Sequence, residues 1–318
     1  MKLRLSLTVA LLFAVSVAIV AQDAAPKRPK ITGISHVAYY VSDLPAALKF
    51  WHDFLGYDEY FELKKPDSDE TRIAFIRIND RQHIELFNEA STHPPNMMNH
   101  VAFTTDNAEQ MKAYLKSQGV KVADGPVQKT KAGDYAFMIS DPDGTKIEFV
   151  QRLPDGVETT TAGKFEPDTR ISTLLYHAGF VVGHTEKAMD FYGRILGFTE
   201  TWRGGGDPKV LSWINMKVPD GDDYVELMLV SELPKAYGGK NHLSLAVPDI
   251  DKSVATLKAR VAASGYSKPL EIHTGVNQKR QMNMFDPDGT RVELMEPKTV
   301  TGKPTPPSTA PPPPPIHD

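Results

Sequence analysis

Eight residues of this 318-residue chain belong to types that do chemistry and recur in a fixed order. They are His36, Glu85, His100 and Glu148, then His177, Glu226, His242 and Glu293. The spacings are 49 (36 to 85), 15 (85 to 100) and 48 (100 to 148) in the first set, against 49, 16 and 51 in the second. Two imidazoles with two carboxylates make a nitrogen and oxygen donor set without sulfur. Such a set suits a borderline divalent ion (nickel, cobalt, zinc, manganese or iron(II)) and disfavours copper(I) or a cluster. Four protein ligands on an octahedral ion leave two positions open, which separates a catalytic site from a closed structural one. A lone glutamate on a strand is ordinarily the solvent side of the pleat, and a lone strand histidine is ordinarily structural. The same two types in all four places, within runs that otherwise differ widely, favour function.

The elements that must position these residues are strands. Each histidine opens an apolar run: ISHVAYYV, NHVAFTT, YHAGFVV and NHLSLAV. Each glutamate lies in a closing one: HIELF, KIEFV, YVELM and RVELM. Side chains alternate across a strand. His36 therefore shares a face with Ala38 and Tyr40, while Val37, Tyr39 and Val41 point the other way. Val101 and Phe103 oppose His100, and Leu243 and Leu245 oppose His242. Histidines and glutamates can thus line one face of a sheet whose other face is core. His83 shares the face of Glu85, as a neighbour of the site or as a bland edge residue. Arg72, Arg77, Arg203 and Lys209 read as ordinary strand-surface charges.

Between these strands lie helical patterns closed by glycine. PAALKFWHDFLG (45–56) puts Leu48, Trp51 and Leu55 on one face, and TEKAMDFYGRILG (185–197) repeats its FW/FY pair and LG stop. Each helix is followed by three strand-like runs. The chain is thus four strand–helix–strand–strand–strand units, and SDPDGTKIEFV (140–150) returns as FDPDGTRVELM (285–295) at the end of the second and fourth. The reading is an α+β protein of four βαβββ modules paired into two domains, 31–152 and 172–297. Each domain is a curled mixed or antiparallel sheet with helices on its outer face. Residues 153–171, polar and rich in threonine, read as a linker.

Composition excludes several classes. A net charge of −4 with scattered lysines and arginines gives no footprint for nucleic acid. The chain has no cysteine, so disulfides, thiol catalysis and cysteine-bound zinc are out. Lys2 and Arg4 precede the apolar run from Leu5 to Ala21, the pattern of a cleaved export signal over residues 1–21, with a membrane anchor the competing reading. An exported location, periplasmic or secreted, follows. The proline-rich segment 298–318 reads as an extended, disordered tail.

The stretches SHVAYYVSDLPAALKFWHDFLGY and YHAGFVVGHTEKAMDFYGRILGF, with DPDGTKIEF and DPDGTRVEL, resemble the modules of the vicinal oxygen chelate superfamily. That superfamily includes glyoxalase I, methylmalonyl-CoA epimerase, extradiol dioxygenases and bleomycin-resistance proteins. The His–Glu–His–Glu order is similar to bacterial glyoxalase I of the nickel or cobalt type. The resemblance implies a divalent metal on His36, Glu85, His100 and Glu148, and another on His177, Glu226, His242 and Glu293. It implies lyase or isomerase chemistry in which a proton is taken next to a carbonyl through a metal-bound enediolate, with Glu148 and Glu293 as the bases. The substrate would be a small molecule with vicinal oxygens, and the protein a monomer or homodimer. Two alternatives stay open: an iron(II) extradiol-type dioxygenase, and a non-catalytic small-molecule binder.

Overall fold

The computed structural model describes residues 26–316 apart from 90–96, 236 and 238, so the expected export signal lies outside the described residues. The first module runs β1 (Ile31–Tyr40), α1 (Leu44–Lys49, continued by a π-helical turn Phe50–Phe54), β2 (Glu59–Lys64), β3 (Thr71–Asn79) and β4 (Gln82–Phe87). The second has β5 (Met98–Thr105), α2 (Ala108–Ser117), β6 (Gln128–Lys129), β7 (Tyr135–Ser140) and β8 (Lys146–Gln151). A short turn of helix, α3 (Val157–Thr160), precedes the third module: β9 (Leu175–Val182), α4 (Thr185–Met189, continued by a π-helical turn Asp190–Ile195), β10 (Thr199–Gly204), β11 (Trp213–Lys217) and β12 (Tyr224–Leu229). The fourth holds β13 (His242–Ala246), α5 (Ile250–Ser264), β14 (Ile272–Thr274), β15 (Lys279–Phe285) and β16 (Arg291–Thr299).

The two domains have one topology. Each is an eight-stranded sheet, ordered β2-β3-β4-β1-β5-β8-β7-β6 in the first and β10-β11-β12-β9-β13-β16-β15-β14 in the second. The central pairs β1–β5 and β9–β13 are antiparallel, and each central strand has a parallel neighbour that closes its module. The α+β reading with four βαβββ modules holds. Val37, Tyr39, Val101, Phe103, Leu243 and Leu245 all lie in one apolar core shared by both domains, together with Trp51, Leu115, Tyr192 and Leu257 from the helices. Strand parity thus divides each sheet into a helix-covered core face and an opposite cleft face.

Local chemistry accounts for the punctuation. Asp43 caps α1 by accepting from the Ala46 amide at 3.0 Å, with Pro45 in the first turn. The helix ends at Gly56, with φ +82°, and a Cβ there would overlap the Thr169 carbonyl; both its handedness and its packing require glycine. Across the domains, Tyr266 stacks on Phe54 at 4.2 Å between ring centres, and Arg260 donates to the Phe54 and Thr169 carbonyls at 3.1 and 2.6 Å.

In the repeated DPDG turn the glycine amide bonds back to the first aspartate's carbonyl at 3.1 Å, in both copies. The Asp141 carboxylate accepts from the amides of Asp143 and Thr145, and Asp286 from Thr290. Burial pushes Asp141 up to about 6 and Asp286 up to about 7. A raised carboxyl stabilises the fold while protonated, and that contribution is lost as pH climbs from about 4 through 7. Asp286→Asn cannot ionise and keeps an acceptor. Its urea midpoint relative to wild type should therefore rise between pH 5 and pH 8, by at most about 4 kcal/mol in stability. A difference that does not change with pH would show that Asp286 titrates normally.

Two segments depart from expectation. Residues 153–171 are more than a connection, because α3 lies among them and Glu158 is buried against the first domain. The proline-rich segment is not a free tail as far as Ile316; residues 317 and 318 lie outside the described residues. Pro311 accepts from the Leu211 amide at 2.9 Å, Ser308 donates to Arg203 at 2.9 Å, and Ile316 donates to Gly183 at 3.1 Å. The Ser308 bond falls on the outer strand β10. An edge strand offers unpaired backbone groups, and a chain already stiffened by proline loses little entropy in meeting them.

Candidate functional site

Register brings each set of four together. On the first sheet Ala38 lies between Glu85 on β4 and His100 on β5, while Ala102 lies between His36 on β1 and Glu148 on β8. On the second, Gly179 lies between Glu226 and His242, and Ser244 between His177 and Glu293. The four side chains of each set therefore stand on one face, on four adjacent strands.

In the first domain the Nε2 atoms of His36 and His100 approach to 2.8 Å. Glu148 Oε2 lies 3.1 Å from His36 Nε2 and 3.5 Å from His100 Nε2, and the Glu85 oxygens lie 3.7 and 3.8 Å from the same two nitrogens. Behind the rings, His36 Nδ1 faces Ser35 Oγ at 3.3 Å and His100 Nδ1 faces Asn99 Oδ1 at 3.2 Å. Those acceptors favour protons on Nδ1, which turns both Nε2 lone pairs inward. Two inward lone pairs and two carboxylates at one point are stabilised by positive charge, so this donor set fits a divalent cation. Within the protein alone, burial would raise the Glu148 carboxyl, but His100 and His36 hold it well below the usual range. Burial also opposes charge on His100, and Glu148 outweighs it, leaving its pKa raised; His36 is lowered, chiefly by burial.

Around the donor set stand His83, which strand parity had placed beside Glu85, and Glu158, Arg152 and Tyr60, which sequence reading left out. His83 stacks on His36 at 4.5 Å between ring centres, with Nε2 3.5 Å from Glu85. Its Nδ1 faces Glu158 at 3.3 Å. Glu158 also holds Arg77 at 2.9 Å and Arg152 at 3.0 Å, and accepts from the Tyr60 hydroxyl. Arg77 is thus fully buried rather than a surface charge. It pairs with His83 across β3 and β4, so the strand parity that placed His83 beside Glu85 also puts Arg77 on that face of the sheet. The donor set, His83, Tyr60, Arg152 and Glu158 line a cavity of about 290 Å³, with Lys131 and Asp134 also at its wall and an apolar side formed by Leu63, Ile73, Phe75, Phe87 and Met138.

The second set is gathered differently. His177 and His242 Nε2 lie 3.1 Å apart, Glu293 is 3.5 Å from His177, and Glu226 is 3.7 Å from His242. Both histidines are wholly buried, and His177 Nδ1 has no partner. His242 Nδ1 faces the Lys240 carbonyl at 2.8 Å and the Arg291 guanidinium at 2.5 Å. Burial and Arg291 drive both histidines well below their ordinary pKa, while burial and Glu293 push Glu226 up to about 8. The first set holds charge in balance; the second favours neutral forms.

Gly179 makes the second arrangement possible, because a Cβ there would overlap the His242 ring. Gly179→Ala should displace that ring and remove about one metal ion per chain, at a stability cost of about 1–3 kcal/mol from overpacking. Elemental analysis beside a denaturation curve reads both; unchanged metal content would mean that His242 is no ligand.

The chain matches the profile of the Glyoxalase/Bleomycin resistance protein/Dioxygenase superfamily over residues 33–149 and again over 174–294, and it belongs to that superfamily. A 2-epi-5-epi-valiolone epimerase from an Actinomyces species is 27% identical over 172 residues, 44% of this chain and 91% of the relative. The structure of an Mn(II)-bound glyoxalase from Novosphingobium aromaticivorans superposes with a TM-score of 0.63 at 18% identity, covering 84% of this chain and 83% of that one. A homoprotocatechuate 2,3-dioxygenase from Brevibacterium fuscum gives 0.63 at 17%, covering 88% and 76%. The superfamily has metal-dependent members, and likeness to these structures concerns the fold.

Proposed function

We propose that the first domain is the active site of a metal-dependent lyase or isomerase of glyoxalase I type, acting on a small molecule with vicinal oxygens. The observation that carries this reading is the meeting of His36, His100, Glu85 and Glu148 at the wall of a cavity of about 290 Å³. These four residues would hold the ion. When bound, a divalent ion (nickel, cobalt, zinc or manganese) polarises a carbonyl and acidifies the adjacent C–H bond. Glu148, the most accessible of the four side chains, then takes the proton from one carbon and returns it to the next. The apolar wall orients the substrate and keeps water from the transferred proton. His177, Glu226, His242 and Glu293 form a second metal position, with Glu293 in the place of Glu148. Its closer enclosure makes the first domain the principal site. Cleavage after Ala21 would place the enzyme outside the cytoplasm, as a monomer or homodimer.

The test is metal content per chain of residues 22–318 after mild purification. Close to two nickel, cobalt, zinc or manganese ions is the expected result. One iron, lost in air, would replace this reading with an extradiol-type dioxygenase; no metal after reconstitution would leave a small-molecule binder.

A further inference from the structure

We propose that the second domain carries a binding site for a small carboxylate with a flat, hydroxyl-bearing body, in a cavity of about 530 Å³ walled by Tyr224, whose ring packs on His177. The chain supplies its own comparison. In the first domain, His36, His83 and Arg77 form one row across three strands; in the second, His177, Tyr224 and Lys217 form the matching row. Asp134 stands four residues before the partner of Glu148, and Lys279 four before the partner of Glu293. Arg152 follows Glu148 by four, and Pro297 follows Glu293 by four.

Charge in this corner balances in the first domain and fails to balance in the second. In the first domain Arg152 and Lys131 line the cavity with Asp134 and the inserted carboxylate of Glu158, which α3 delivers, the Tyr60 hydroxyl completes and Arg77 also holds. In the second domain no segment among the described residues delivers an acid to this cavity. Lys217 and Lys279 line the cavity, with Lys298 and Lys303 at its rim. The one acidic lining residue is Asp222, a fully exposed side chain 3.7 Å from Lys217. Four ammonium groups at one cavity against a single exposed carboxylate favour an anion, and Glu158 shows which anion the matching corner takes.

The rest of the lining describes the body of the ligand. Tyr176 and Tyr224 meet edge to face at 5.0 Å and form a flat wall, and Lys279 donates to the Tyr176 hydroxyl at 3.1 Å. Asn215 is 5% exposed, and its Oδ1 has no partner; Trp202 Nε1 is likewise buried and unpartnered. Both line the cavity, one an acceptor and one a donor, as a hydroxyl requires. The site is separate from the proton transfer assigned to the first domain and stands whether or not that assignment does.

Calorimetric titration of the metal-loaded chain, residues 22–318, with 4-hydroxybenzoate tests the assignment, with 4-hydroxybenzyl alcohol and inorganic phosphate run in parallel. The carboxylate should bind at least tenfold more tightly than the alcohol and than phosphate. Lys217→Gln and Lys279→Gln should each weaken it at least fivefold and weaken the alcohol by a smaller factor. Equal affinity for acid and alcohol, wild-type affinity in both lysine variants, or absence of heat at millimolar acid would each overturn the proposal. Phosphate binding as tightly as the acid would overturn it too, as the mark of an unselective cationic patch.

Discussion

Glu148→Gln should lower turnover by about 10²–10⁴-fold, the range expected for loss of a positioned general base, while Glu293→Gln keeps most of it. Glutamine preserves the shape of Glu148 and one oxygen donor but cannot accept the proton. The carboxylate is ionised at neutral pH, because His100 and His36 hold its pKa well below the usual range against the opposing effect of burial. So acidic a carboxyl is a weak base, and it suffices only where the carbon acid has been made stronger, which is what a divalent ion at this donor set provides. The contrast between the two variants follows from access. Glu148 is 18% exposed at a cavity with an apolar wall, whereas Glu293 is 4% exposed beside two wholly buried histidines. Turnover of α-ketoaldehydes and their thiol adducts, with metal content measured on the same preparations, separates a lost base from a lost ligand. Full activity in the double variant Glu148→Gln, Glu293→Gln would remove the assigned bases. Loss from Glu293→Gln alone would move the reaction to the second domain.

Much of this site was legible because strands impose a period of two. Once Val37, Tyr39, Val101 and Phe103 are committed to the core, His36 and His100 have only the opposite face available. The glutamates follow by the same parity, and the DPDG and LG signals fix where strands and helices end. What parity cannot supply is depth. Arg77 and Arg72 look alike in sequence, yet the first is wholly buried and the second pairs with Glu89 at the surface. The difference lies in Glu158, which comes from a segment whose polar composition carries no period and so no address. The proline-rich segment misled for a related reason: its bonds to Arg203, Leu211 and Gly183 are made by backbone groups, which side-chain composition does not report. The second set shows the same limit. Its residues are those of the first in type and order, and only the structure reveals Arg291 against His242 and the lysines nearby.

Glu158→Ala should cost about 3–5 kcal/mol, the usual penalty for removing one partner of a buried ion pair. It would leave the guanidinium of Arg77 fully buried and that of Arg152 largely so, with no carboxylate between them. Arg77 would keep its position over the Tyr60 ring, 3.8 Å from the ring centre, and its bond to Thr161, but neither neutralises a charge. The segment that carries Glu158 is tied down independently. Val157 donates to Ala132 at 2.8 Å, Leu153 donates to Asp134 at 2.8 Å, and a Cβ on Gly156 would overlap Asp134. Loss of the carboxylate should therefore appear as a buried charge left unpaired rather than as a detached loop. Urea denaturation reads the stability, and Glu158→Gln, which keeps the size and most hydrogen bonds, should fall between wild type and alanine. The same change reaches the metal. Glu158 lies 3.3 Å from His83 Nδ1, and His83 stacks on His36, so the alanine variant should also weaken metal binding at the first site, by about 10-fold, the lower end expected for a group that supports the ligands from behind. A loss below about 1 kcal/mol would place Glu158 among ordinary exposed pairs. In that case the segment between the domains would be the plain linker its composition describes, and the first site would stand on its own four residues.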